Sequence, residues 1–456
     1  MVAVEVVETA SLGDRSYLVT DGAVAAVVDP QRDIDRMLAL AGRHDVRITH
    51  VLETHIHNDY LSGGLELCRL TGAEYGVAAS DVVSFARRPL VEGDVVVMSQ
   101  RLRLRTLATP GHTFHHLSYV VEDTDGAVGV FTGGSLLFGS TGRTDLLGQQ
   151  HSEELARQQH ASVRKLADVL PDDAQIWPTH GFGNFCSATE VSGSSATVGQ
   201  QKKVNAVFRL GEDEFVEHTL SALDAVPAYY AQMAPRNMAG PEQVDLRAPA
   251  RVRPAELARR LRLGDWVVDL RSRRAFAHAH LAGTISLGLD GPLATWLGWL
   301  ADRGAPLTLI GETPEQVAAA QRELVRIGVD RPTAAVGRPR ELAVDASLVR
   351  SMPSATFGDL AESGPGSVVL DVRMRREWRA CHLKNAVHIP LFELRYRSHE
   401  LADGVVWVHC SAGYRAAAAA SLLAREGREV VFIDDEFAAA HEAGLPLVSD
   451  RSPPGR

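Results

Sequence analysis

The first half of the chain alternates short apolar runs with polar, breaker-rich turns. Residues 2–7, 16–20 and 24–28 read as strands with Asp21-Gly22 as a hairpin turn between the last two, and 33–44 reads as a helix. An apolar run at 48–52 predicts a buried strand. It is followed by a helix over 64–71 with Leu65, Leu67 and Leu70 as its apolar positions. Residues 102–107 and 174–177 repeat the strand pattern. A helix over 213–223 and then Pro227, Pro235 and Pro241 close a first domain near residue 240.

Beyond that point the pattern repeats itself. Val267-Val268-Asp269-Leu270-Arg271 and His280-Leu281 recur at a constant offset as Val369-Leu370-Asp371-Val372-Arg373 and His382-Leu383. Each copy predicts a strand, Asp-x-Arg, a short helix with an aromatic residue (Phe276, Trp378), His-Leu, and a second strand (284–287, 386–389). A third strand (307–310, 405–409) then leads straight into a helix. Two small α/β domains with parallel strands follow from this order, joined by residues 337–352.

Histidines sit where the strands of the first domain end. Thr54-His55-Ile56-His57-Asn58-Asp59 follows the strand at 48–52, Pro110-Gly111-His112 follows 102–107, and Pro178-Thr179-His180-Gly181 follows 174–177. His55 and His57 share a face in an extended segment, because side chains alternate with a period of two. Neutral imidazoles with a nearby carboxylate suit zinc or iron. His115 and His116 lack this punctuation and are expected outside the ligand set, in support or on the surface. Arg143 can pair with Asp145 or meet an anionic substrate. Residues 187–200, rich in Ser, Thr and Gly, are expected as a loop over the metal face.

Composition changes the picture in three respects. At 456 residues the chain is too long for one core and predicts about three domains. A formal net charge of -10 excludes a general nucleic-acid role, since such binding needs a basic surface. The basic cluster at 373–379 is expected as solvated helix surface. The 4 cysteines, Cys68, Cys186, Cys381 and Cys410, form no disulfide framework, so a reducing cytoplasm is the expected compartment. With Glu5 and Glu8 and no basic region before an apolar core, the opening residues are not expected to be a signal peptide, and the apolar run at 291–301 is shorter than the roughly 20 residues of a membrane span. A homodimer is compatible with the chain.

Residues 1–243 resemble the metallo-β-lactamase fold, in the branch of glyoxalase II and the persulfide dioxygenases. The text that carries this is Val28-Asp29-Pro30, His55-x-His57-x-Asp59, Pro110-Gly111-His112, Phe131-Thr132-Gly133, Gly142-Arg143-Thr144-Asp145 and Pro178-Thr179-His180-Gly181. The resemblance implies an αββα sandwich with a metal at the strand ends. Two positions depart from the family: Tyr60 stands where it usually has His, and Gly134 where it has Asp. With that carboxylate missing, His55, His57 and His112 remain for one divalent ion, iron(II) or zinc. Asp59 and His180 are too few for a second ion, so at most one is expected; Asp59 can alternatively serve the first as its carboxylate.

The repeat resembles the rhodanese family, with Asp371-Val372-Arg373, Glu377-Trp378 and His388-Ile389-Pro390-Leu391 as the text in the second copy. Domains of 244–340 and 353–450 are expected, the overall fold class being multidomain α/β. The copies differ after the third strand. The second has His409-Cys410-Ser411-Ala412-Gly413-Tyr414-Arg415; the first has Gly311-Glu312-Thr313-Pro314 and no thiol, which predicts a silent spacer or docking face. A cysteine between a strand and a helix N-terminus sits among backbone N–H groups at the positive end of the helix dipole, which favours a thiolate or a persulfide anion. Arg415 adds fixed charge, and Ser411, Ala412, Gly413 and Tyr414 complete the loop. A buried cysteine capping a core strand is the plainer alternative.

The fusion suggests a sulfur-handling enzyme. Its expected partners are a low-molecular-weight thiol or its persulfide, and thiosulfate or sulfite. Three readings follow: a persulfide dioxygenase-like metal domain coupled to a sulfurtransferase, a metal-dependent thioester hydrolase with that module, or a lapsed metal domain that binds a sulfur carrier.

Overall fold

The computed structural model describes residues 2–183, 185–189, 193–364 and 366–450. They fall into two compact units: residues up to Val244 together with Val325–Gly328, and Asp245–Leu324 together with residues from Val329 on. The segment Val325–Gly328, expected in the 244–340 domain, thus groups with the first unit.

Two six-stranded sheets make the first unit. One runs in chain order through β1 (Ala3–Thr9), β2 (Asp14–Thr20), β3 (Val24–Val28), β4 (Arg47–Leu52), β5 (Glu74–Ala78) and β6 (Arg88–Leu90). The other holds β7 (Val95–Val97), β8 (Arg103–Ala108), β9 (Leu117–Glu122), β10 (Ala127–Gly133), β11 (Gln175–Pro178) and β12 (Ala196–Thr197), also as sequence neighbours. Both faces of the sheets are buried, and the period of two sorts residues between them. Tyr17 and Val19 of β2 and Tyr119 and Val121 of β9 meet in the core between the sheets. Leu18 turns outward under Met37 and Leu40 of helix Asp35–Arg43, and Val120 under Val163 and Leu166 of helix Ser152–Val169. This layering is the αββα sandwich, and it leaves the ends of β4, β8, β10 and β11 to supply loops. The stretch expected as one loop at 187–200 gives way to β12 and to helix Val198–Val204, capped by Thr197; Glu190, Val191 and Ser192 within it lie outside the described residues.

The second unit holds two five-stranded parallel sheets. Along the chain come β13 (Ala250–Arg251), β14 (Trp266–Asp269), β15 (His280–Leu281), β16 (Ile285–Ser286), β17 (Leu307–Gly311), β18 (Thr333–Val336) and β19 (Val349–Arg350). Then follow β20 (Ser354–Ala355), β21 (Val368–Asp371), β22 (His382–Leu383), β23 (Val387–His388), β24 (Val406–His409), β25 (Val430–Ile433) and β26 (Leu447–Val448). The sheets run β13-β18-β17-β14-β16 and β20-β25-β24-β21-β23, the same order of first, fifth, fourth, second and third strand.

The repeated residues turn out to be latches. Arg271 folds back onto Asp269 at 2.6 and 2.9 Å and donates to the Ala279 carbonyl; Arg373 does the same to Asp371 and to the Cys381 carbonyl. His280 and His382 donate from Nδ1 to the Phe276 and Trp378 carbonyls and stack on those rings. Arg373, expected on a solvated face, is buried under the Phe437 ring, because its charge is answered by Asp371. Among the described residues no helix is long and apolar enough to cross a membrane. The run at 291–301 is the buried helix Leu293–Leu300.

Candidate active sites

The histidine centre is built on strand ends. β4 delivers Glu53 to Asp59, β8 delivers His112, β10 delivers Gly133 and Gly134, and β11 delivers His180. Asp29, at the end of β3, ties these loops together. It accepts from the Thr54 amide (2.7 Å), the Thr54 hydroxyl (2.7 Å) and the Thr179 hydroxyl (2.5 Å).

Ligand atoms of His55, His112 and His180 lie within 4.8 Å of one another, and so do those of His57, Asp59 and His180. All five predicted residues therefore converge, with His180 common to both groups. Outer partners fix the rings. Nδ1 of His55 meets the Thr54 hydroxyl at 2.9 Å, Nδ1 of His112 meets the Arg143 carbonyl at 2.8 Å, and Nδ1 of His180 meets Asp14 at 2.9 Å. Because the Thr54 hydroxyl already donates to Asp29, each Nδ1 is the donor of its pair, which leaves Nε2 of all three rings for the centre. Nε2 of His57 is held by the Tyr60 hydroxyl at 3.0 Å and lies 3.3 Å from Asp29 and 3.2 Å from Glu53. Its Nδ1, and Nε2 of His112, are buried without a hydrogen-bond partner.

This arrangement demands a cation. The Nε2 atoms of His55 and His180 face each other at 3.2 Å, so a proton or a metal ion must sit between them. Two nitrogens bonded at about 2.0–2.1 Å to one tetrahedral ion stand about 3.4 Å apart, close to that gap. Burial opposes a charge on His180, but Asp59 and Asp14 outweigh it and raise its pKa to about 9. His112 goes the other way, down to about 3, by burial and the neighbouring His180. Burial and the surrounding imidazoles likewise push His55 well down. Asp59 is held below the ordinary carboxylate range: burial works against this, but His180 prevails. The donor set fits a divalent ion.

Both departures from the family pattern have visible consequences. Tyr60 stacks on His57 and holds its Nε2 rather than offering an imidazole. At Gly134 an added Cβ would stand 2.2 Å from the His112 ring and 2.7 Å from its Nε2, so that ring occupies the space a side chain would need. His116, expected in support or on the surface, is fully buried and accepts the Gly134 amide at 3.0 Å. His115 is half-exposed and pairs with Asp81. Of the two roles expected for Arg143, the pairing with Asp145 is the one seen. Buried at 3 % exposure, Arg143 is bidentate to Asp145 and donates to the Phe185 and Asp224 carbonyls, which engages Nε and both terminal nitrogens. Cys186 is fully buried, its thiol pushed well up by burial. Sequence reasoning did not single out Asp14 or Glu53. Asp29 stood in the Val28-Asp29-Pro30 text, but Asp14 and Glu53 flank strands without any pattern of their own.

The second centre is the loop between β24 and helix Tyr414–Arg425. Cys410 is 2 % exposed, at the floor of the loop, and its Sγ accepts the Gly413 amide at 3.1 Å. Gly413 has φ 89°, and a Cβ there would stand 2.6 Å from Asp434, so the turn belongs to glycine. Arg415 is bidentate to Glu377 at 2.6 and 2.7 Å and reaches the Ser411 hydroxyl at 2.8 Å. The first copy contributes to the wall: Arg273 pairs with Asp434 at 2.5 Å, the Tyr414 hydroxyl donates to the Gly288 carbonyl, and the Trp296 ring lies 5.8 Å from the Arg415 guanidinium. Expected as a spacer or docking face, it also touches the loop.

Comparison with known proteins agrees with this division. Residues 14–180 match the model of the metallo-beta-lactamase superfamily and residues 357–443 that of the rhodanese-like domain. The human mitochondrial persulfide dioxygenase ETHE1 is 28% identical over 245 residues, 53% of this chain and 82% of that protein. A hydroxyacylglutathione hydrolase of Pseudomonas entomophila (strain L48) is 31% identical, over 41% of this chain and 69% of its own. Among solved structures, a metallo-beta-lactamase from Staphylococcus aureus subsp. aureus COL superposes with a TM-score of 0.65 at 28% identity, covering 73% of this chain and 98% of that one. The chain belongs to the metallo-beta-lactamase superfamily and carries a rhodanese-like domain in its C-terminal part.

Proposed function

We propose that the chain is a sulfur-handling enzyme in which Cys410 carries sulfane sulfur and the histidine centre, with one divalent ion, acts on the persulfide of a low-molecular-weight thiol. The observation that carries this reading is the Cys410 sulfur under an amide N–H, beside an arginine oriented by Glu377. The Cys410 thiolate attacks the outer sulfur of thiosulfate; the sulfur–sulfur bond breaks, sulfite leaves with the electron pair, and Cys410 becomes a persulfide anion. Backbone N–H groups and the helix dipole stabilise that anion, and Arg415 meets the departing oxyanion. A thiol acceptor then takes the outer sulfur and restores the thiolate. The first copy, without a nucleophile, serves as the wall of the Cys410 loop.

In the first unit His55, His57, His112 and His180 would hold the ion, with Asp59 as the carboxylate beside them. Bound there, a divalent ion supplies Lewis acidity and, if it is iron(II), oxygen chemistry. Asp14, the Arg143 carbonyl and the Thr54–Asp29 pair keep the rings in the tautomer that ligation requires. With Tyr60 in place of an imidazole, one ion is favoured over two. The dioxygenase reading draws support from the likeness to persulfide dioxygenases, with persulfide, oxygen and water giving sulfite and free thiol. Hydrolysis of a thioester is the second reading, favoured by glycine at position 134 and a mainly imidazole donor set.

Replacing Cys410 by Ser is expected to abolish sulfur transfer from thiosulfate to cyanide; full activity in that variant would refute the nucleophile. Oxygen uptake with glutathione persulfide, paired with elemental analysis, decides the metal domain. Uptake with bound iron supports oxidation, and thioester cleavage with bound zinc supports hydrolysis. Neither activity and no metal leaves the domain as a platform for a sulfur carrier.

A further inference from the structure

Away from the Cys410 loop, the second unit contains a cleft of about 510 Å³ between its two copies. Its lining includes Arg350 and Met352 of the connecting segment and Pro353, Arg425, Arg428 and Val430 of the second copy. The cleft is remote from Cys410. Arg425 ends the 12-residue helix that starts just after the Cys410 loop, a length of about 18 Å. Val430 and Val405 stand where β25 and β24 begin, whereas Cys410 stands where β24 finishes.

The charges in this cleft are poorly answered. Arg350 donates to the Ser347 and Val349 carbonyls and Arg425 to the Gly264 carbonyl; neither has a carboxylate partner among the described residues. Arg428 bonds the Ala402 carbonyl and stands 3.8 Å from the fully exposed Asp403. Glu429 is the one acidic residue in the lining, against three guanidinium groups. Burial and the nearby Arg395 work against the charge on Arg425, and Asp265 and Glu426 offset them only in part. In a chain of net charge -10 such a cleft is a local exception, and it focuses field on anions.

We propose that this cleft binds a small organic molecule carrying a phosphate-type, multiply charged oxyanion. The planar forks of the three arginines match such a group. The wall of Met352, Pro353 and Val430 takes its apolar body, and the volume falls in the range of small-molecule sites, roughly 300–1,000 Å³. The assignment stands apart from the chemistry at Cys410 and at the histidine centre.

Calorimetric titration of the full chain with adenosine 5′-diphosphate, inorganic pyrophosphate and sulfate tests it. Saturable one-to-one binding of the nucleotide is expected, weakening with salt, with pyrophosphate weaker and sulfate weaker still. Arg350→Glu and Arg428→Glu should each raise the dissociation constant about tenfold or more, while Cys410→Ser leaves it unchanged. Arg350 is exposed and bonded only to local carbonyls, so its variant folds even where another fails. Pyrophosphate binding as tightly as the nucleotide would overturn the organic body and leave a site for free inorganic anions. No saturable binding up to about 10 mM, or binding indifferent to both substitutions, would overturn the proposal.

Discussion

At the scale of single residues, Gly134 and His409 carry the sharpest consequences. A methyl group at 134 would meet the His112 ring at 2.2 Å, and that ring is pinned by its bond to the Arg143 carbonyl. Gly134→Ala should therefore cost about 1–3 kcal/mol of stability and push His112 away from the metal centre. Bound metal per chain and the unfolding midpoint measure both effects; a fully loaded, equally stable variant would show that the ring yields freely. The same contact opposes a restored aspartate. His409 is enclosed by Phe357 and Phe437, and burial lowers its pKa from 6.5 to about 4. The unfolded chain then binds the extra proton first. Its contribution is whole above about pH 6.5 and is lost as pH falls towards 4, on the order of 3 kcal/mol in all. Asp371 beside it has a lowered pKa from an ordinary value of 3.8, so its contribution is lost only below that window. Unfolding free energy against pH should show this slope, and His409→Phe should flatten it. An unchanged slope would place the titration elsewhere.

At the scale of elements, the motifs most visible in the repeat are structural, and the copies differ in the loop after the third strand, where only the second carries a cysteine. Asp-x-Arg recurs because a strand-end carboxylate and a returning guanidinium latch the chain eight residues on. Lysine cannot reproduce a two-pronged bond to Asp371 and a third bond to the Cys381 carbonyl. Arg373→Lys should thus destabilise the second unit by roughly 2–4 kcal/mol, since it leaves a buried carboxylate half-answered. Denaturant titration followed by tryptophan fluorescence reads this loss, and a change below about 0.5 kcal/mol would contradict the latch. The elements themselves were legible because both signals are local: alternation of two for the strands, and turn residues where they end. What stayed hidden is long-range. The bonds of Arg143 to Phe185 and Asp224 depend on packing that no spacing encodes, and the metal-side roles of Asp14 and Glu53 arise only once separate strand ends meet.

At the scale of the whole molecule, the two centres belong to different compact units and draw on different groups. The histidine centre keeps buried imidazole nitrogens without hydrogen-bond partners, which suit an ion, whereas the Cys410 loop completes itself with an amide, a carboxylate and an arginine. Convergence of the histidines was foreseeable from their places at strand ends. The contacts of the first copy with the Cys410 loop were not foreseeable, because Gly288 and Trp296 bear no mark in the sequence of what they touch. Metal removal separates the centres. Binding of an ion to the native state alone stabilises by mass action, so a strong chelator should lower the unfolding temperature of the metallo-beta-lactamase unit and abolish whichever reaction it performs. Sulfur transfer from thiosulfate to cyanide should persist within about twofold, because the thiol, the amide and the arginine proposed for that step all belong to the second unit. Calorimetric scans with and without chelator, paired with the cyanide assay, check both halves. Loss of sulfur transfer along with the metal would mean that the Cys410 centre is not complete in itself, and that the second unit depends on the ion.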